Sequence, residues 1–372
     1  MSPKVVVAMS GGVDSSVAVA LLQQEGYEVI GMMMRLWSEP GREAQNRCCT
    51  PESMGIARTV AGQLGIPFYA VNAQESFRNT VVEYFLDGYK SGVTPNPCLA
   101  CNRHIRWEFL LERALALGAE YMATGHYARV EHSEGQPVRL FEAEDKQKDQ
   151  SYVLSVLGQH QLRHALFPLG AYTKPQVRQI AQELGLPAAQ SKESQDLCFL
   201  AGEDYREFLG RHAPELALPG PIINADGNQL GSHKGLVNYT IGQRKGLGLS
   251  SSQPLYVIRK DQSSNSLIIG SREELGDCEF HVKQMNWING HPLQKSFNAA
   301  VKIRYKAAKA NSRVSLLPDG RTHIRFDDPQ PGVTPGQAAV IYSDEEVLGS
   351  GLISDTRPTE LESMPSLDKA KA

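Results

Sequence analysis

A short run near the N-terminus combines two glycines with three serines and an aspartate: Ser10-Gly11-Gly12-Val13-Asp14-Ser15-Ser16. Glycine lets the backbone approach a ligand closely, and the free N–H groups at the start of a helix bind anions. The serine hydroxyls add hydrogen-bond donors, while Asp14 has the chemistry to cap the helix or to hold a magnesium ion. The run therefore predicts a binding site for an anion such as pyrophosphate.

The same run lacks the lysine of a Walker-type phosphate loop. Such a loop reads G-x-x-x-x-G-K-[ST], and no lysine stands between Gly11 and Gln23. The run instead resembles the pyrophosphatase loop of the ATP pyrophosphatases, which implies an enzyme that adenylates a substrate oxygen and holds the departing pyrophosphate. An ordinary strand-to-helix turn would need only a serine cap, and it does not require two glycines and three hydroxyls together.

The chain has six cysteines, and two of them form a C-x-x-C pair, Cys98 and Cys101, shortly after two prolines. Such a pair suits half of a zinc site, a thioredoxin-like redox pair or a nucleophilic thiol in a shaped loop. A zinc site needs a second ligand pair, and the adjacent Cys48 and Cys49 lack the spacing for one. The prolines predict a loop over residues 94–102, whereas a thioredoxin-like pair occupies a helix N-terminus.

Basic residues follow this pair closely. Arg103, His104 and Arg106 are expected to lower a thiol pKa and to favour the thiolate, which is the nucleophilic form of cysteine. A further candidate is Cys198, which stands alone in a polar segment. A lone cysteine is also explained as a small buried hydrophobe, and that interpretation is accepted for Cys278.

The segments around these residues alternate between strand and helix patterns. Buried strands are predicted at residues 5–7, 29–34 and 66–71, with helical spacing between them. A further strand, predicted over residues 121–130, is interrupted at Gly125-His126. This alternation is typical of an α/β parallel sheet, whose ligands bind beyond the carboxyl ends of the strands. We therefore expect the glycine run, Met34 and Gly125 to border one crevice.

After about residue 214, turns rich in glycine and proline separate short strands. This pattern predicts a β-rich part that ends in a small C-terminal barrel. The expected boundaries are residues 1–213 for the α/β domain, 214–282 for a central domain, 283–357 for the barrel and 358–372 for a loose tail.

The barrel segment carries the basic part of the sequence. Between Lys302 and Arg325 there are seven lysines and arginines against one acid, Asp319. With Tyr305 among them, this stretch suits a nucleic-acid backbone through charge and stacking. A solvated barrel face would give nearly the same pattern.

Composition limits the class of protein. The 372 residues, 41% hydrophobic and 21% charged, describe a globular protein of two or three domains. No apolar run approaches the ~20 residues of a membrane span, and the first nine residues lack a signal-peptide pattern. The cysteines are too few for a disulfide scaffold. We therefore expect a cytoplasmic protein without a membrane partner, and the net charge of −3 argues against an overall basic coat.

Several motifs together resemble the tRNA-specific 2-thiouridylase family. The resemblance extends from the first strand to about residue 358, in the order and with the spacing of that family. The motifs are the glycine and serine run, Pro95-Asn96-Pro97 with Cys101-Asn102, Ala123-Thr124-Gly125-His126-Tyr127, Lys148-Asp149-Gln150-Ser151-Tyr152, Ser194-Gln195-Asp196 with Cys198-Phe199, and Tyr239-Thr240-Ile241-Gly242-Gln243-Arg244-Lys245-Gly246.

The resemblance implies an adenylating α/β domain with a Rossmann-like parallel sheet, a small central domain and a C-terminal β-barrel that helps to hold tRNA. It also implies that the 2-oxygen of a wobble uridine attacks the α-phosphorus of ATP with Mg²⁺ present, and that pyrophosphate leaves. Cys198 would carry the incoming sulfur as a persulfide. Cys101 would activate that persulfide, or attack its inner sulfur and leave a Cys101–Cys198 disulfide. The sulfur would come from a cysteine desulfurase or a sulfur-relay protein.

The family motifs also imply the binding residues. ATP would lie on Ala8, Met9, Ser10, Gly11, Gly12, Val13, Asp14 and Ser15, with Met34 and Gly125 beside the nucleotide. The target base would meet Asn96, Pro97 and Cys98. The tRNA would meet Lys148, Asp149, Gln150, Arg304 and Tyr305, while His126 and Gln337 would assist recognition or positioning.

One position departs from a branch of the family. Cys98 stands where an aspartate is often found, so an acid–base role of that carboxylate does not transfer to this chain. A third cysteine beside the other two also keeps open an iron–sulfur cluster on Cys98, Cys101 and Cys198. Two other functions remain as alternatives: a synthetase of the ATP pyrophosphatase type that adenylates a small metabolite, and a non-catalytic RNA-binding or redox protein.

Overall fold

The computed structural model describes residues 2–42, 50–190, 197–200 and 202–355. These residues form three β-sheets: a parallel sheet of five strands, a smaller sheet of four strands and an antiparallel sheet of eight strands. The α/β domain, the central domain and the C-terminal barrel implied by the sequence are thus confirmed. The tail predicted over residues 358–372 lies outside the described residues.

The first part of the chain alternates strands and helices. In chain order these are β1 (Lys4–Ala8), α1 (Val13–Gln24), β2 (Glu28–Arg35), α2 (Pro51–Gln63), β3 (Phe68–Asn72), α3 (Gln74–Phe77), α4 (Glu83–Lys90), α5 (Pro97–Ala100), α6 (Leu111–Ala116), β4 (Tyr121–Thr124), β5 (Ala128–Glu131), β6 (Arg139–Glu142), α7 (Ser151–Leu154), α8 (Gln159–Leu162), β7 (Ala165–Leu166), α9 (Lys174–Glu183) and α10 (Tyr205–His212).

The parallel sheet has the strand order β3-β2-β1-β4-β7, so that β1 lies in its centre. Val5, Val6 and Val7 are fully buried there, because helices cover both faces of such a sheet. The prediction of a strand buried on both faces is confirmed. Since β1, β2 and β4 run parallel and adjacent, the loops that follow them meet at one edge.

The segment that carries the C-x-x-C pair was predicted as a loop, and this prediction is wrong. A helix begins at Pro97, with Asn96 at the N-cap position, and continues as a π-helical segment, Cys101–Leu110, into α6. Proline suits the first helical position because its missing N–H has no partner there in any case. Cys98 and Cys101 therefore occupy the first turns of a helix.

The strand predicted over residues 121–130 is two strands in different sheets. β4 belongs to the parallel sheet, whereas β5 forms a hairpin with β6. This hairpin joins the C-terminal sheet, since β6 pairs with the last strand of the barrel through Phe141 and Leu140. The chain thus leaves the parallel sheet directly after Gly125-His126.

The remaining strands form the other two sheets. They are β8 (Gly220–Ile223), β9 (Gln229–His233), β10 (Tyr256–Asp261), β11 (Ser266–Gly270), β12 (Gly276–Trp287), β13 (Ser296–Lys302), β14 (Ala310–Leu316), β15 (Thr322–Pro331), β16 (Ala338–Ser343) and β17 (Glu346–Asp355). Strands β8 to β11 make the central domain. Strands β12 to β17 close into an antiparallel barrel, because β12 pairs with both β15 and β17.

The barrel is hydrogen-bonded to the loop that precedes the cysteines. The Thr94 N–H donates to the Pro335 carbonyl at 2.9 Å, and Gln337 Nε2 donates to the Thr94 carbonyl at 2.9 Å. The Tyr152 hydroxyl, from α7, donates to the Ala338 carbonyl at 3.0 Å. These contacts fix the segment before Asn96 relative to the barrel. Among the described residues, none of the helices has the length and apolar character of a membrane span.

Gly125 lies against the first turn of α1. A Cβ added to Gly125 would lie 2.7 Å from the Ser15 nitrogen and 2.8 Å from the Asp14 carbonyl carbon, and both are backbone atoms that cannot rotate away. We expect Gly125→Ala to lower the free energy of unfolding by about 1–3 kcal/mol, because overpacking forces the helix to shift. Urea denaturation measures this change.

Gly62→Ala is the matched control, since Gly62 lies within α2 and nothing is within 4 Å of its added Cβ. That variant should be neutral or slightly more stable. Equal stability of the two variants would contradict the packing assigned to Gly125.

Candidate active site

The glycine run forms the turn between β1 and α1. Gly11 has a φ of +76°, and a Cβ there would lie 2.3 Å from the Ser53 carbonyl oxygen. Any other residue at Gly11 would be strained by its backbone conformation and would collide with the start of α2. Gly12 is the N-cap residue of α1, and no side chain caps this helix. The first N–H groups of α1 are therefore available to an anion, as the sequence predicts.

The three hydroxyls of this loop have different roles. Ser15 Oγ and Ser16 Oγ both donate to the Gly12 carbonyl, at 3.1 and 3.0 Å, and Ser15 Oγ also accepts from the Ser10 N–H. Ser16 is fully buried, so the prediction that its hydroxyl faces a ligand is wrong. Ser15 and Ser16 shape the turn, while Ser10 is exposed at its mouth.

Asp14 does not cap α1. Its carboxylate oxygens lie 2.7 and 2.8 Å from Lys174 Nζ, and the Tyr127 hydroxyl donates to Oδ1 at 2.8 Å. Sequence reasoning missed Lys174, which lies 160 positions along the chain. Its one local signal is its place at the start of a helix, directly after Thr173.

Met34 and Gly125 lie at the carboxyl ends of β2 and β4, next to the loop after β1. The Met34 side chain is half-buried and packs against two apolar clusters. Its side chain therefore serves the core, and contact of its backbone with a nucleotide stays a prediction. Gly125 brings the end of β4 against Asp14 and Ser15. The loops that follow β1, β2 and β4 thus meet at the edge where the sequence predicts a crevice.

Cys98, Cys101 and Cys198 lie in one region. Cys198 opens the short 3₁₀ turn Cys198–Leu200, and it packs with Cys101 against the same apolar cluster as Phe85 and Phe199. It also exerts an electrostatic effect on both other thiols. Cys278 is exposed on the barrel strand β12, so the prediction that it is a buried hydrophobe is wrong. Cys48, Cys49 and residues 191–196 lie outside the described residues.

The local environment disfavours the thiolates. Solvent reaches Cys98, but protein atoms crowd around both sulfurs, and this desolvation raises the pKa of Cys98 to about 11 and that of Cys101 to about 12. Arg106 opposes the shift and lies within hydrogen-bonding reach of the Cys101 thiol. The net lowering predicted from the basic neighbours is therefore wrong.

Two of those basic neighbours are paired elsewhere. His104 Nδ1 lies 2.7 Å from Glu108 Oε2, and Arg103 lies 3.8 Å from the same carboxylate. Of these three basic residues, Arg106 is the one whose charge acts on the Cys98 and Cys101 thiols. The sequence shows that these residues are basic, but it does not show that Glu108 pairs with two of them.

His126 joins the two halves of the site. Its ring is buried, with Nδ1 2.7 Å from Thr124 Oγ1 and Nε2 3.0 Å from Arg106 Nη1. Because a guanidinium only donates, Nε2 accepts and Nδ1 carries the proton. Burial and the Arg106 charge lower the pKa of His126 well below its ordinary value. A neutral imidazole thus links the end of β4 to the arginine beside Cys101.

Asn96 and Pro97 border a cavity of about 600 Å³. The opposite wall includes Leu197, which precedes Cys198 in the chain, and Tyr205, whose ring stacks on that of Tyr89 at a centroid distance of 5.5 Å. Asn96 also lies within hydrogen-bonding reach of the Tyr84 and Tyr152 hydroxyls. The cavity therefore combines aromatic and apolar side chains with the Asn96 amide and two acidic residues, Glu203 and Asp204.

Other residues that the family motifs implicate are engaged inside the protein. The buried Asp149 carboxylate accepts hydrogen bonds from the N–H groups of Ala143 and Ser151, at 3.0 and 3.2 Å. Gln150 Oε1 accepts from the Tyr127 N–H at 3.0 Å. Lys148, next to them in the chain, is half-buried. These bonds assign Asp149 and Gln150 to shaping the turn before α7.

Arg304 and Tyr305 follow β13. Arg304 Nη2 donates to the Ile241 carbonyl and to Thr334 Oγ1, both at 3.0 Å, so it joins the central domain to the barrel. Tyr305 is exposed, and its ring meets that of Tyr152 edge-on. Direct contact of these two residues with tRNA stays a prediction.

Within the part of the chain that the structure describes, no group of three metal-binding side chains was found. Asp14 is a single carboxylate at the phosphate loop. Magnesium commonly binds through one or two carboxylates together with substrate phosphates, so Asp14 suits an ion that arrives with a nucleotide.

The sequence matches three family models that follow one another along the chain. They are described as a tRNA methyl transferase HUP domain, over residues 3–202, a tRNA methyl transferase PRC-barrel domain, over residues 206–271, and an aminomethyltransferase beta-barrel domain, over residues 278–353.

Two relatives that align with almost the whole chain have the same name. The chain is 47% identical over 351 residues to the tRNA-specific 2-thiouridylase MnmA of Chloroflexus aggregans, which covers 94% of this chain and 98% of that protein. It is 46% identical over 355 residues to the enzyme of the same name from Herpetosiphon aurantiacus, which covers 95% and 99%. Among solved structures, NMN synthetase from Francisella tularensis matches with 17% identity and a TM-score of 0.33, over 57% of this chain and 78% of that chain.

The position of Arg106 predicts how Cys101 reacts. Arg106→Gln removes the cation that opposes desolvation, so the pKa of Cys101 should rise further. We expect alkylation of Cys101 at pH 8 to slow by about three- to ten-fold. Mass spectrometry of the Cys101 peptide after timed iodoacetamide treatment measures this rate separately from the other cysteines.

Arg103→Gln is the control, because Arg103 pairs with Glu108 and should leave the Cys101 rate unchanged. In the wild type the rate should rise continuously through pH 9, since the thiol pKa is about 12. A plateau below pH 8, or equal rates in both variants, would contradict this role of Arg106.

Proposed function

The chain belongs to the tRNA-specific 2-thiouridylase family, and we propose that it uses ATP to convert a wobble uridine of tRNA to 2-thiouridine. One observation carries the proposal: the anion-binding loop and the cysteines are linked, because Gly125 packs against the first turn of α1 and the next residue, His126, contacts Arg106, whose charge acts on Cys98 and Cys101. The reaction needs both parts, because the 2-oxygen must be activated before sulfur can displace it.

The first step takes place at the loop between β1 and α1. ATP binds on residues 8–15, with the backbones of Met34 and Gly125 beside it, and Asp14 supplies a carboxylate for the Mg²⁺ that accompanies the phosphates. The 2-oxygen of the uridine bonds to the α-phosphorus, the bond between the α- and β-phosphates breaks, and pyrophosphate leaves. The uncapped N–H groups of α1 support this step because they stabilise an anion.

The second step uses the cysteines. A cysteine desulfurase or a sulfur-relay protein delivers sulfur to Cys198 as a persulfide. In one route Cys101 attacks the inner sulfur, the bond between the two persulfide sulfurs breaks, and the released hydrosulfide bonds to C2 of the uridine. In the other route Cys101 activates the persulfide, its outer sulfur bonds to C2 first, and attack of Cys101 on Cys198 Sγ then breaks the sulfur–sulfur bond. In both routes AMP leaves with the 2-oxygen. The Cys101–Cys198 disulfide that remains must be reduced by a thiol before the next turnover. Because free thiols and tRNA are both required, we assign the reaction to the cytoplasm.

The target base has a suitable cavity beside both steps. Asn96, Pro97 and Cys98 begin the helix that also carries Cys101. The cavity next to them has aromatic and apolar side chains, including Phe85, Tyr89 and Tyr205, together with Glu203 and Asp204. Such a lining accepts the flat face of a base. The proximity of Asn96 to two tyrosine hydroxyls supports its use as an oriented polar contact.

The tRNA backbone is the partner for the basic stretch between residues 302 and 325. Two of its cations are paired within the protein: Lys309 Nζ lies 3.0 Å from Glu142, and Arg321 lies 2.6 Å from Asp319. Arg313 and Arg325 lie opposite each other on the exposed face of β14 and β15. Like charges in cross-strand register repel each other, so a polyanion would relieve them.

Three other functions are less well supported. The first two family models are described by methyl transfer, yet the relatives that cover the whole chain are named as thiouridylases, and three neighbouring cysteines suit sulfur chemistry. A synthetase for a small metabolite would need neither these cysteines nor a basic barrel. An iron–sulfur cluster remains the alternative to the persulfide, and the experiment below separates the two.

Cys198→Ala should abolish thiolation while ATP and tRNA binding stay within about two-fold of the wild type, because a small side chain contributes little to either. Purified protein is incubated without oxygen with ATP, Mg²⁺, unmodified tRNA, a thiol reductant, and a cysteine desulfurase with its cysteine substrate, which supplies persulfide sulfur. Nucleoside mass analysis then detects 2-thiouridine, and iron is assayed in the same sample. Cys278→Ala, on the exposed barrel strand, is the control and should keep full activity.

Full activity of Cys198→Ala would contradict the persulfide step. Product that forms only when iron is bound would assign the cysteines to a cluster. Exchange of ATP with pyrophosphate in the absence of tRNA, without any thiolated nucleoside, would favour the synthetase.

Arg304→Ala should weaken tRNA binding and flatten its dependence on salt concentration. It should also lower the free energy of unfolding by about 1–3 kcal/mol, because two acceptors at the domain junction lose their donor. Lys306→Ala is the matched comparison on the exposed surface, and it should change tRNA binding alone. Filter binding over a salt series and urea denaturation measure the two effects, and unchanged tRNA binding of Arg304→Ala would refute its assignment.

A further inference from the structure

The phosphate loop has no lysine of its own, but the fold supplies one from a distant element. We propose that Lys174 binds the β- and γ-phosphates of ATP and then the departing pyrophosphate. In the absence of nucleotide, Asp14 holds Lys174 in place. This inference rests on the proposed function, because it assumes that ATP binds at the loop after β1.

Lys174 is built into the protein rather than free on its surface. It is the first residue of α9, only 7% of its surface is exposed, and its backbone N–H donates to Asp145 Oδ2 at 2.9 Å. Thr173 and Gln176 fix this helix end through a capping box. The lysine therefore reaches the loop from a rigid support, as a phosphate-binding group requires.

The contact between Lys174 and Asp14 joins two helix N-termini. Asp14 lies in the first turn of α1, which has 12 residues, and Lys174 opens α9, which has 10. The two helices pack against each other. Each N-terminus carries a partial positive charge, and the lysine adds a full one. Among the described residues, the Asp14 carboxylate is the anion between these two helix ends, and the Tyr127 hydroxyl donates to it.

Nucleotide binding changes the partners of this pair. When Mg²⁺ takes the Asp14 oxygens as ligands, the contact between Asp14 and the buried ammonium weakens, and a further anion close to that ammonium becomes more favourable. The phosphates on the loop are then the nearest new anions. Lys174 would neutralise the charge that pyrophosphate gains as its bond to the α-phosphorus breaks, which is the function of the lysine in a Walker-type loop.

The test measures binding rather than turnover. Isothermal titration calorimetry with the full chain gives the affinities for Mg·ATP, Mg·pyrophosphate and AMP. Lys174→Met keeps the apolar stem of the side chain but removes its charge. We expect it to lose about ten-fold or more in affinity for Mg·ATP and Mg·pyrophosphate, since a hydrogen bond to a charged group is lost, and to bind AMP within about two-fold.

Lys309→Met is the control, because Lys309 also forms an ion pair with a buried carboxylate, Glu142, but lies on the barrel side of the hairpin. It should bind all three ligands as the wild type does. Lys174→Arg keeps the charge and should recover a large part of the affinity. If Lys174→Met does not fold, Lys174→Arg and Lys174→Gln give the same comparison of charge against no charge.

A second variant separates contact with phosphate from support of Asp14. In an Asp14→Asn background, Lys174→Met should still lower the affinity for pyrophosphate. If the effect of Lys174→Met vanishes in that background, the lysine acts only through Asp14 and the proposal is wrong. Equal phosphate affinities of Lys174→Met and the wild type also overturn it, and the proposed function survives. If the wild type binds no Mg·ATP, the proposed function fails with it.

Discussion

The start of α1 is the constraint on which the site depends. A helix begins with N–H groups that have no partner within it, and here no side chain supplies one. Asp14, in the first turn of the helix, is held by Lys174 and Tyr127. The N-terminus of α1, with its partial positive charge, is therefore available to an anion at the carboxyl edge of the parallel sheet. Three features maintain this geometry: the buried strand β1, the left-handed Gly11, and Gly125 packed against the first turn.

The cysteines lie in the opposite kind of environment, because protein atoms surround them. The anion loop is open, whereas the thiols are crowded by protein, and this desolvation raises the pKa of both Cys98 and Cys101. A buried thiol is stable and unreactive until a nearby cation favours its ionised form. Arg106 is a nearby cation that offsets part of the desolvation, and it is oriented by a neutral histidine whose other nitrogen is bound to Thr124 at the end of β4. The arginine therefore connects the thiols to the strand that also borders the nucleotide loop.

The sequence predicts the parts of this arrangement that depend on near neighbours in the chain. Buried strands, the glycine turn and the crevice at the sheet edge follow from residue spacing. Asparagine followed by proline also suits the N-cap and first helical positions, so the helix at Pro97 has a local signal. The same two prolines are equally typical of a loop, and this ambiguity explains the wrong prediction. Lys174 lies too far along the chain for any local pattern to bring it to Asp14. The partners of Asp149, Arg304 and Gln337 are likewise set by packing between distant segments, which composition and spacing do not encode.

Those distant contacts explain why one chain carries both an α/β domain and a barrel. Gln337 and Pro335, from the barrel, hold the backbone of Thr94, and Asn96 follows two residues later at the start of the cysteine helix. The β5–β6 hairpin joins the barrel sheet directly after His126. The barrel is thus hydrogen-bonded to the loop before the cysteines and covalently continuous with the end of β4. These contacts therefore hold the basic strands of the barrel in a fixed position relative to the helix that carries Cys98 and Cys101.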